Sequence, residues 1–97
     1  MAMHRPPHPG EFIWDTYLEP HDVSARSLAG SLGVAASTIT RLINGQSNVS
    51  LEMALRFSKA LGRSPESWLA MQRTYDLWGA RKFTDLTNVE QIRFGVP

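Results

Sequence analysis

The 97-residue chain contains no cysteine, so it has neither a disulfide framework nor a thiolate zinc site. Its net charge is only +1, which excludes recognition of a polyanion by bulk positive charge. It also lacks an apolar run long enough to cross a bilayer, and its first ten residues contain no hydrophobic segment of the signal-peptide type. We therefore expect one small domain in the reducing cytoplasm, with no membrane partner, because a chain this short supports a single core.

Helix start and stop signals predict five helices joined by short connections. The first runs from about residue 10 to residue 18 and ends before Pro20, which cannot continue a helix. The fifth begins at Pro65 and extends to about residue 81. The expected N-cap residues are Ser24, Ser50 and Ser64, and the expected C-terminal glycines are Gly33, Gly45 and Gly62. Because no segment alternates in the manner of a strand, the predicted fold class is all-α.

The two ends of the chain differ from the helical domain, which we place at residues 10–82. Residues 1–9 contain three prolines and two histidines, and we interpret them as an extended arm. Residues 83–97 form a tail of uncertain structure. Thr87 and Glu90 could begin a short helix as a capping box, or the segment could be a loose end.

The stretch SLAGSLGVAASTITRLINGQ, residues 27–46, has the pattern of two helices that cross at a tight turn. Gly33 can adopt the positive φ that ends the first helix, and Ala29 supplies a small side chain where a large one would hold the helices apart. The apolar residues at helical spacing around the turn are Leu28, Leu32, Val34, Ile39, Leu42 and Ile43. These features predict a helix-turn-helix. The simpler alternative is a helical hairpin whose polar face only meets solvent.

A helical wheel separates the apolar and polar side chains of the second of these helices. With Ile39 facing inward, Arg41 and Asn44 face outward, in a stripe of hydrogen-bonding groups suited to base edges. Ala36 lies near the helix tip, where it could approach a thymine methyl, and the loop after the helix offers amides and hydroxyls to phosphates. The predicted DNA-binding residues are Ser24, Ala36, Ser37, Thr38, Thr40, Arg41, Asn44, Gln46, Ser47 and Asn48.

Four stretches carry a resemblance to a known family: HPGEFI, LAGSLGVAASTITRLINGQSNVSLEMALRFSKALG, SPESWLAMQ and YDLW, which cover most of residues 8–82. The chain resembles the HigA/VapI antitoxins, members of the lambda-repressor-like (Xre-type) helix-turn-helix fold. The resemblance implies a dimeric DNA-binding protein that represses its own operon and blocks a small ribonuclease toxin of the RelE type. Such a dimer would read a palindromic operator through the major groove. This sequence departs from the family at Ala35, where a serine N-cap is frequent, and near Gln46, where a basic residue is frequent.

The fifth helix carries more apolar side chains than five short helices can bury. Part of its stripe is expected to pack on the fourth helix through Leu55, Phe57 and Leu61. We assign the excess to a homodimer interface that comprises Trp68, Leu69, Tyr75 and Trp78. The candidate toxin-contact residues are Phe12 and Trp14 in the first helix, with the tail after Lys82 as the alternative.

The sequence also leaves other functions open. The helix-turn-helix could belong to a solitary repressor, or to a protein-interaction module that no longer binds DNA. The low charge around its second helix, the recognition helix, leaves the interaction module open. No nucleophile elbow, phosphate loop or paired-carboxylate arrangement is present, so we do not expect an enzyme. His4 and His8 have the spacing of a helical metal pair, but Pro6 and Pro7 lie between them. We therefore expect an unstructured arm, with no metal and no cofactor.

Overall fold

A computed structural model describes residues 5–95, and over this range the chain forms five helices and no strand. The helices are α1 (Pro9–Ile13), continued by a π-helical turn (Trp14–Leu18), α2 (Ala25–Leu32), α3 (Ala36–Ile43), α4 (Leu51–Leu61) and α5 (Pro65–Phe83). α2 packs mainly on α3, α4 packs on α5, and α1 contacts both α3 and α5. The predicted all-α, five-helix class is confirmed. Within residues 5–95, none of the helices has the length and apolar character of a membrane span.

The helix boundaries predicted at serines and glycines are confirmed. The Oγ atoms of Ser24, Ser50 and Ser64 each accept a hydrogen bond from the backbone N–H three residues later, at 3.0, 3.2 and 3.1 Å. The glycines that follow α2, α3 and α4 all have positive φ: 73° for Gly33, 74° for Gly45 and 91° for Gly62. These signals are reliable because each serine satisfies a backbone N–H that the start of a helix leaves unpaired. Each glycine adopts the positive φ with which the chain leaves the end of a helix.

The first helix is not a regular α-helix, which corrects the prediction for residues 10–18. After Ile13 the backbone widens, and the N–H of Glu19 donates to the carbonyl of Trp14 at 2.9 Å, an i→i+5 hydrogen bond. In an α-helix, residues five apart point about 140° away from each other. The wider turn brings Ile13 and Leu18 closer to one side, and both are fully buried. Burial of both side chains in the same core accounts for the π-helical turn.

One shared core orients α3 relative to the rest of the domain. Phe57 of α4 and Trp68 of α5 are fully buried, with ring centroids 5.3 Å apart. The indole N–H of Trp68 donates to the carbonyl of Gly62 at 3.1 Å, so the polar atom of this large core side chain is satisfied. The other buried apolar side chains are Ile13, Leu18, Leu28, Ala29, Leu32, Ile39, Leu42, Val49 and Ala54.

The segment before α1 is anchored to the domain. Arg5 forms an ion pair with Glu11 at 2.9 Å, and the His8 side chain is buried. The expectation of an unstructured arm is therefore wrong at Arg5 and His8, because Arg5 pairs with Glu11 of α1 and the His8 ring packs on Tyr75 of α5. The predictions for residues 1–4, which include one of the two histidines, lie outside the described residues.

The tail continues from α5 without a further helix among the residues described. Residues 84–95 are irregular apart from a turn in which the N–H of Thr87 donates to Asp85 Oδ1 at 2.9 Å. The capping-box alternative at Thr87 is wrong, because its hydroxyl also donates to Asp85 and no helical turn follows. The large apolar side chains of the tail are between 64% and 77% exposed: Leu86, Val89, Ile92 and Phe94.

Candidate nucleic-acid interface

The turn between α2 and α3 has the predicted geometry. Gly33 lies in the left-handed region, at φ 73° and ψ 32°. The N–H of Val34 donates to the carbonyl of Ala29 at 3.0 Å, which closes the end of α2. Ala29 itself is buried, at 2% exposure, on the helix that packs against α3. A small side chain and a left-handed glycine thus set the angle at which α3 is presented.

A side chain from α4 also holds this turn, and the sequence did not predict it. Arg56 Nη1 donates to the carbonyl of Leu32 at 2.6 Å, at the last residue of α2. A cation at a helix C-terminus is favoured by the helix dipole and by unpaired carbonyls. The two residues are 24 positions apart in the chain, so no local pattern distinguishes Arg56 from an ordinary surface arginine.

α3 presents a polar face to solvent, as the helical wheel predicts. Ile39 and Leu42 are buried, at 0% and 2% exposure. The exposed side chains on the opposite face are Ser37, Thr40, Arg41 and Asn44, and Thr38 is half-buried. Thr40 Oγ1 donates to the carbonyl of Ala36 at 3.1 Å, which leaves the hydroxyl oxygen as an acceptor. The outward direction of these side chains is confirmed, and their contacts with DNA stay a prediction.

The N-terminal end of α3 lacks a side-chain cap. Ala35 occupies the N-cap position in an extended conformation and has no polar atom to accept a hydrogen bond from the first turn. Ala36, the first residue of the helix, is half-buried and packs partly against the core. The missing cap weakens this helix end and leaves backbone donors open to an anion.

The other predicted phosphate contacts lie at the start of α2 and in the loop after α3. Ser24 is exposed, and its hydroxyl accepts a hydrogen bond from the N–H of Ser27, so its own proton remains available to a phosphate. In the loop, Gln46 and Asn48 are exposed and Ser47 is half-buried. All four residues are thus accessible at least in part.

A buried glutamine of α5 holds this loop in place. Gln72 is 5% exposed, and its Oε1 accepts a hydrogen bond from the N–H of Val49 at 2.8 Å. Its Nε2 donates to Asn48 Oδ1 at 3.1 Å and to Asp76 Oδ1 at 3.0 Å. This residue was not predicted from the sequence. The available signal was a glutamine four residues after Trp68, on the buried face of the same helix.

The first helix contacts the recognition helix through its backbone. A Cβ at Gly10 would lie 1.8 Å from the carbonyl oxygen of Leu42 and 2.8 Å from Cα of Ile43. His8 Nδ1 accepts a hydrogen bond from the N–H of Gly10 at 3.0 Å, and its ring packs edge-on against Tyr75 at 5.0 Å. Burial lowers the pKa of His8, because removal from water disfavours the charged form. The position of α3 therefore depends on residues that the sequence did not mark as functional.

Little positive charge surrounds α3. Arg26 and Arg41 are the only Lys or Arg residues between Ser24 and Ser50, and both are exposed. A DNA contact made by this face would depend on hydroxyl and amide groups as well as on two cations. Over residues 5–95 there is no group of three or more His, Cys, Asp or Glu side chains that could hold a metal ion.

The predicted dimer residues are divided between core and surface. Trp68 is 0% exposed, packed between the rings of Phe12 and Phe57, so its assignment to a dimer interface is wrong. Leu69, Tyr75 and Trp78 are half-buried and stay predicted interface residues.

An open apolar groove runs along α4 and α5 beside these residues. Its volume is about 550 Å³, and its apolar lining includes Leu51, Leu69, Leu77 and Ala80. Leu51 and Leu77 are 73% and 45% exposed. The expectation that Leu55 packs on α5 is wrong, since its side chain is 61% exposed. The apolar excess of the domain is therefore on both helices and not on α5 alone.

The two candidate toxin-contact residues differ in accessibility. Phe12 is half-buried, with the guanidinium of Arg63 5.0 Å above its ring. Trp14 is 41% exposed on the π-helical turn, and it lines a shallow cavity of about 390 Å³ with Thr40 and Asn44 of the recognition helix. Of the pair, Trp14 is the more accessible to a partner.

The comparisons with known proteins agree with this geometry. The helix-turn-helix family matches residues 16–68. Antitoxin HigA-1 of Vibrio cholerae is 38% identical over 77 residues, which cover 79% of this chain and 72% of that protein. The solved structure of Pseudomonas aeruginosa antitoxin HigA with the higBA promoter has a TM-score of 0.82 at 31% identity, covering 92% of this chain and 97% of that one. Antitoxin GraA in complex with its operator has a TM-score of 0.84 at 33% identity and covers 98% of both chains.

Proposed function

The chain belongs to the helix-turn-helix family and, within it, to the HigA/VapI antitoxins, and from this premise we propose that it binds its operator as a homodimer and neutralises a small ribonuclease toxin of the RelE type. It is a DNA-binding antitoxin and repressor. The observation that carries the proposal is the exposed polar face of α3, opposite the buried Ile39 and Leu42. In helix-turn-helix proteins, a helix of this kind lies in the major groove and contacts the base edges.

Base recognition is assigned to the outer face of α3. Arg41 can donate two hydrogen bonds to O6 and N7 of a guanine, and Ser37 lies one turn earlier on the same side. Asn44, at the end of the helix, can pair with an adenine edge. Thr40 contributes an acceptor or its methyl group, because its hydroxyl proton is held by the carbonyl of Ala36. Ala36 and Thr38 are partly accessible at the edges of this face and assist through close approach.

Phosphate contacts are assigned to Ser24 and to the loop after α3. Ser24 can donate from its hydroxyl, and Gln46, Ser47 and Asn48 offer further uncharged donors. These contacts would fix the register of α3 on the duplex without reading sequence. Uncharged donors suit this protein, since Arg26 and Arg41 are the only Lys or Arg residues between Ser24 and Ser50.

A homodimer is proposed because one recognition helix reads too few base pairs for useful specificity in a genome. Two copies related by a two-fold axis would read a palindrome with half-sites about 34 Å apart. The α5 surface that includes Leu69, Tyr75 and Trp78 is the proposed contact, and the exposed Leu77 beside it supports this assignment.

The toxin is proposed to bind a folded surface, because the chain has no charged low-complexity segment that could wrap around it. Trp14, which is exposed, is the central candidate, and the half-buried Phe12 is the second. The apolar tail after Lys82 is the alternative surface. Co-expression with the product of the neighbouring gene tests the assignment. We expect the two proteins to meet in the cytoplasm and to co-purify, and we expect Trp14→Ala to weaken the complex. Failure of the wild-type proteins to co-purify would leave a solitary repressor.

DNA binding is tested by footprinting and by titration of the fragment upstream of the gene. Arg41→Ala should cost about 1–3 kcal/mol of specific binding, and Ser37→Ala should relax specificity at one position. Arg93→Ala in the exposed tail is the matched control and should change neither. Unchanged affinity and specificity in both α3 variants would refute the assignment. A wild-type protein that binds the toxin but no DNA would be an interaction module.

A further inference from the structure

We propose that Gln72 is a positioning residue for DNA binding. Through a chain of hydrogen bonds with one fixed direction, it holds the Asn48 side chain with its Nδ2 amide group outward, as a donor for a phosphate oxygen. The inference rests on the proposed function, since it requires that the loop after α3 faces DNA.

The direction of this chain is set by a backbone group. The N–H of Val49 can only donate, so the Gln72 atom 2.8 Å from it must be the amide oxygen. The other end of the same amide is then Nε2, which can only donate. Nε2 lies 3.1 Å from the Asn48 side chain, so the Asn48 atom that faces it must be the oxygen, Oδ1. The remaining atom of the Asn48 amide, Nδ2, is thereby left as the free end.

A second group imposes the same direction independently. Asp76 presents a carboxylate oxygen 3.0 Å from Gln72 Nε2, and a carboxylate only accepts. If the Gln72 amide were reversed, its oxygen would face this carboxylate and its NH₂ group would face the N–H of Val49. Gln72 is 5% exposed, so the reversed arrangement would leave several buried polar groups unpaired. A donor on one side and an acceptor on the other therefore exclude it.

This direction matches the chemistry of a phosphate. Asn48 is exposed, and an unconstrained asparagine amide would present oxygen and nitrogen to DNA in turn. A phosphate oxygen accepts hydrogen bonds, so only the orientation with Nδ2 outward binds it. Among the residues that the structure describes, Nδ2 of Asn48 has no hydrogen-bond partner, whereas Oδ1 is held by Gln72. A buried residue of α5 thus orients a contact residue that precedes it by 24 positions.

The test exchanges amide and carboxylate within α5. In the double variant Gln72→Glu/Asp76→Asn, which we call the swap variant, net charge and side-chain sizes are conserved. The carboxylate at position 72 still accepts from the N–H of Val49 and can accept from the new amide at position 76. It cannot donate to Asn48, so the Asn48 amide should turn its NH₂ group inward and its oxygen outward. The swap variant should therefore fold normally but bind DNA poorly.

The affinity of the full chain is measured on a duplex that covers the region upstream of its reading frame, at a temperature where all variants are folded. The swap should weaken binding about tenfold for each protomer on the duplex, the loss expected for one hydrogen bond to a charged group, and so about a hundredfold for the dimer. In an Asn48→Ala background the same swap should change affinity less than about twofold. A general effect on charge or folding would appear equally in both backgrounds, so the cycle isolates the part that acts through Asn48. Gln72→Met, measured in both backgrounds, replaces the swap if the swap variant fails to fold.

A readout without DNA follows the same atoms. In the free protein, the Asn48 side-chain amide protons should exchange rapidly with solvent in the wild type and several-fold more slowly in the swap variant, because there they donate to the buried carboxylate. Equal exchange, or an equal loss of affinity in both Asn48 backgrounds, overturns the positioning role. If the wild type binds no upstream fragment, the proposed function fails and the positioning role fails with it. If the wild type binds the fragment but the effects of the swap and of Asn48→Ala on affinity are additive, the positioning role is overturned and the proposed function stands.

Discussion

Gly10 packs against the end of the recognition helix with no room for a side chain. A Cβ there would lie 1.8 Å from the carbonyl oxygen of Leu42, a backbone atom that cannot move aside. We expect Gly10→Ala to lower the free energy of unfolding, measured by urea denaturation, by about 1–3 kcal/mol or more. Gly30→Ala is the matched control: Gly30 is exposed in α2 with nothing within 4 Å of its Cβ position. It should stabilise by about 0.5–1 kcal/mol. Equal effects of the two would contradict this packing.

The His8 side chain makes stability depend on pH. Its Nδ1 accepts the N–H of Gly10, which requires the neutral ring, and burial lowers its pKa below the ordinary value of 6.5. Above pH 6.5 the ring is neutral in both the folded and unfolded states, so its contribution is complete. As pH falls below 6.5 the unfolded chain takes up a proton before the folded protein does, and stability decreases until the lowered pKa is passed.

Thermal melts between pH 8 and pH 5 test this dependence. The variant His8→Asn keeps an N-cap side chain that does not titrate, so it should lose less stability than the wild type as pH falls below about 6.5. His21→Asn, at an exposed position, should retain the wild-type dependence. A His8→Asn variant with the same pH profile as the wild type would show that another group is responsible.

Residues whose role is local are predictable from the sequence, and residues whose partners are distant in the chain are not. Ser24, Ser50 and Ser64 were identified because a cap acts on a backbone group three residues away. Arg56 and Gln72 were missed because each holds a group more than twenty positions away. The wrong assignment of Trp68 has the same origin. A helical wheel shows which side of a helix is apolar, but not whether that side meets its own core or a partner.

At the level of elements, the α2–turn–α3 unit depends on two small residues. Ala29→Leu should force the two helices apart, and Gly33→Val should strain a backbone held at φ 73° with Arg56 Nη1 3.3 Å from the Cβ position. We expect each substitution to lower the melting temperature and to reduce operator binding. Ala60→Leu, at an exposed position of α4, is the control and should affect neither. Wild-type melts and operator binding in both turn variants would refute this description of the turn.

The end of the first helix was predictable from the sequence, but its π-helical turn was not. Pro20 gave its end correctly to within two residues, because the effect of proline is local. The change from α-helix to π-helix after Ile13 has no counterpart in the local sequence. It allows Ile13 and Leu18 to reach the same core, which only the packed helices define.

At the level of the whole molecule, the low charge predicts a weak dependence of operator binding on salt. Arg26 and Arg41 bring about four positive charges to the duplex in a dimer, and other residues can add a few. With about 0.9 counterions released per neutralised phosphate, a plot of log affinity against log salt should have a slope near −4 and shallower than about −7. A titration between about 50 and 200 mM salt measures it. A slope of about −10, as for a more basic repressor, would contradict the small electrostatic share.

Sedimentation of the free protein belongs to the same test. We expect a dimer at micromolar concentration, weakened by a charged substitution such as Leu69→Lys on the α5 surface. Leu86→Lys in the exposed tail is the control variant, and it tests whether the tail forms the dimer interface instead. If Leu86→Lys dissociates the dimer and Leu69→Lys does not, the tail is the interface. A protein that is monomeric and binds DNA as a monomer would refute the dimer.

The chain determines much of this protein through local chemistry alone. Helix number, caps, the tight turn at Gly33 and the outward polar face of α3 all follow from interactions between residues within a few positions of each other. The tertiary structure alone decided which apolar side chains enter the core, where the first helix widens into a π-helical turn, and which atoms support the DNA-facing loop. Those outcomes depend on contacts such as Gly10 with Leu42, and Gln72 with Val49, between segments far apart in sequence. Neither partner carries a local sign of the other, because their proximity exists only after the helices pack.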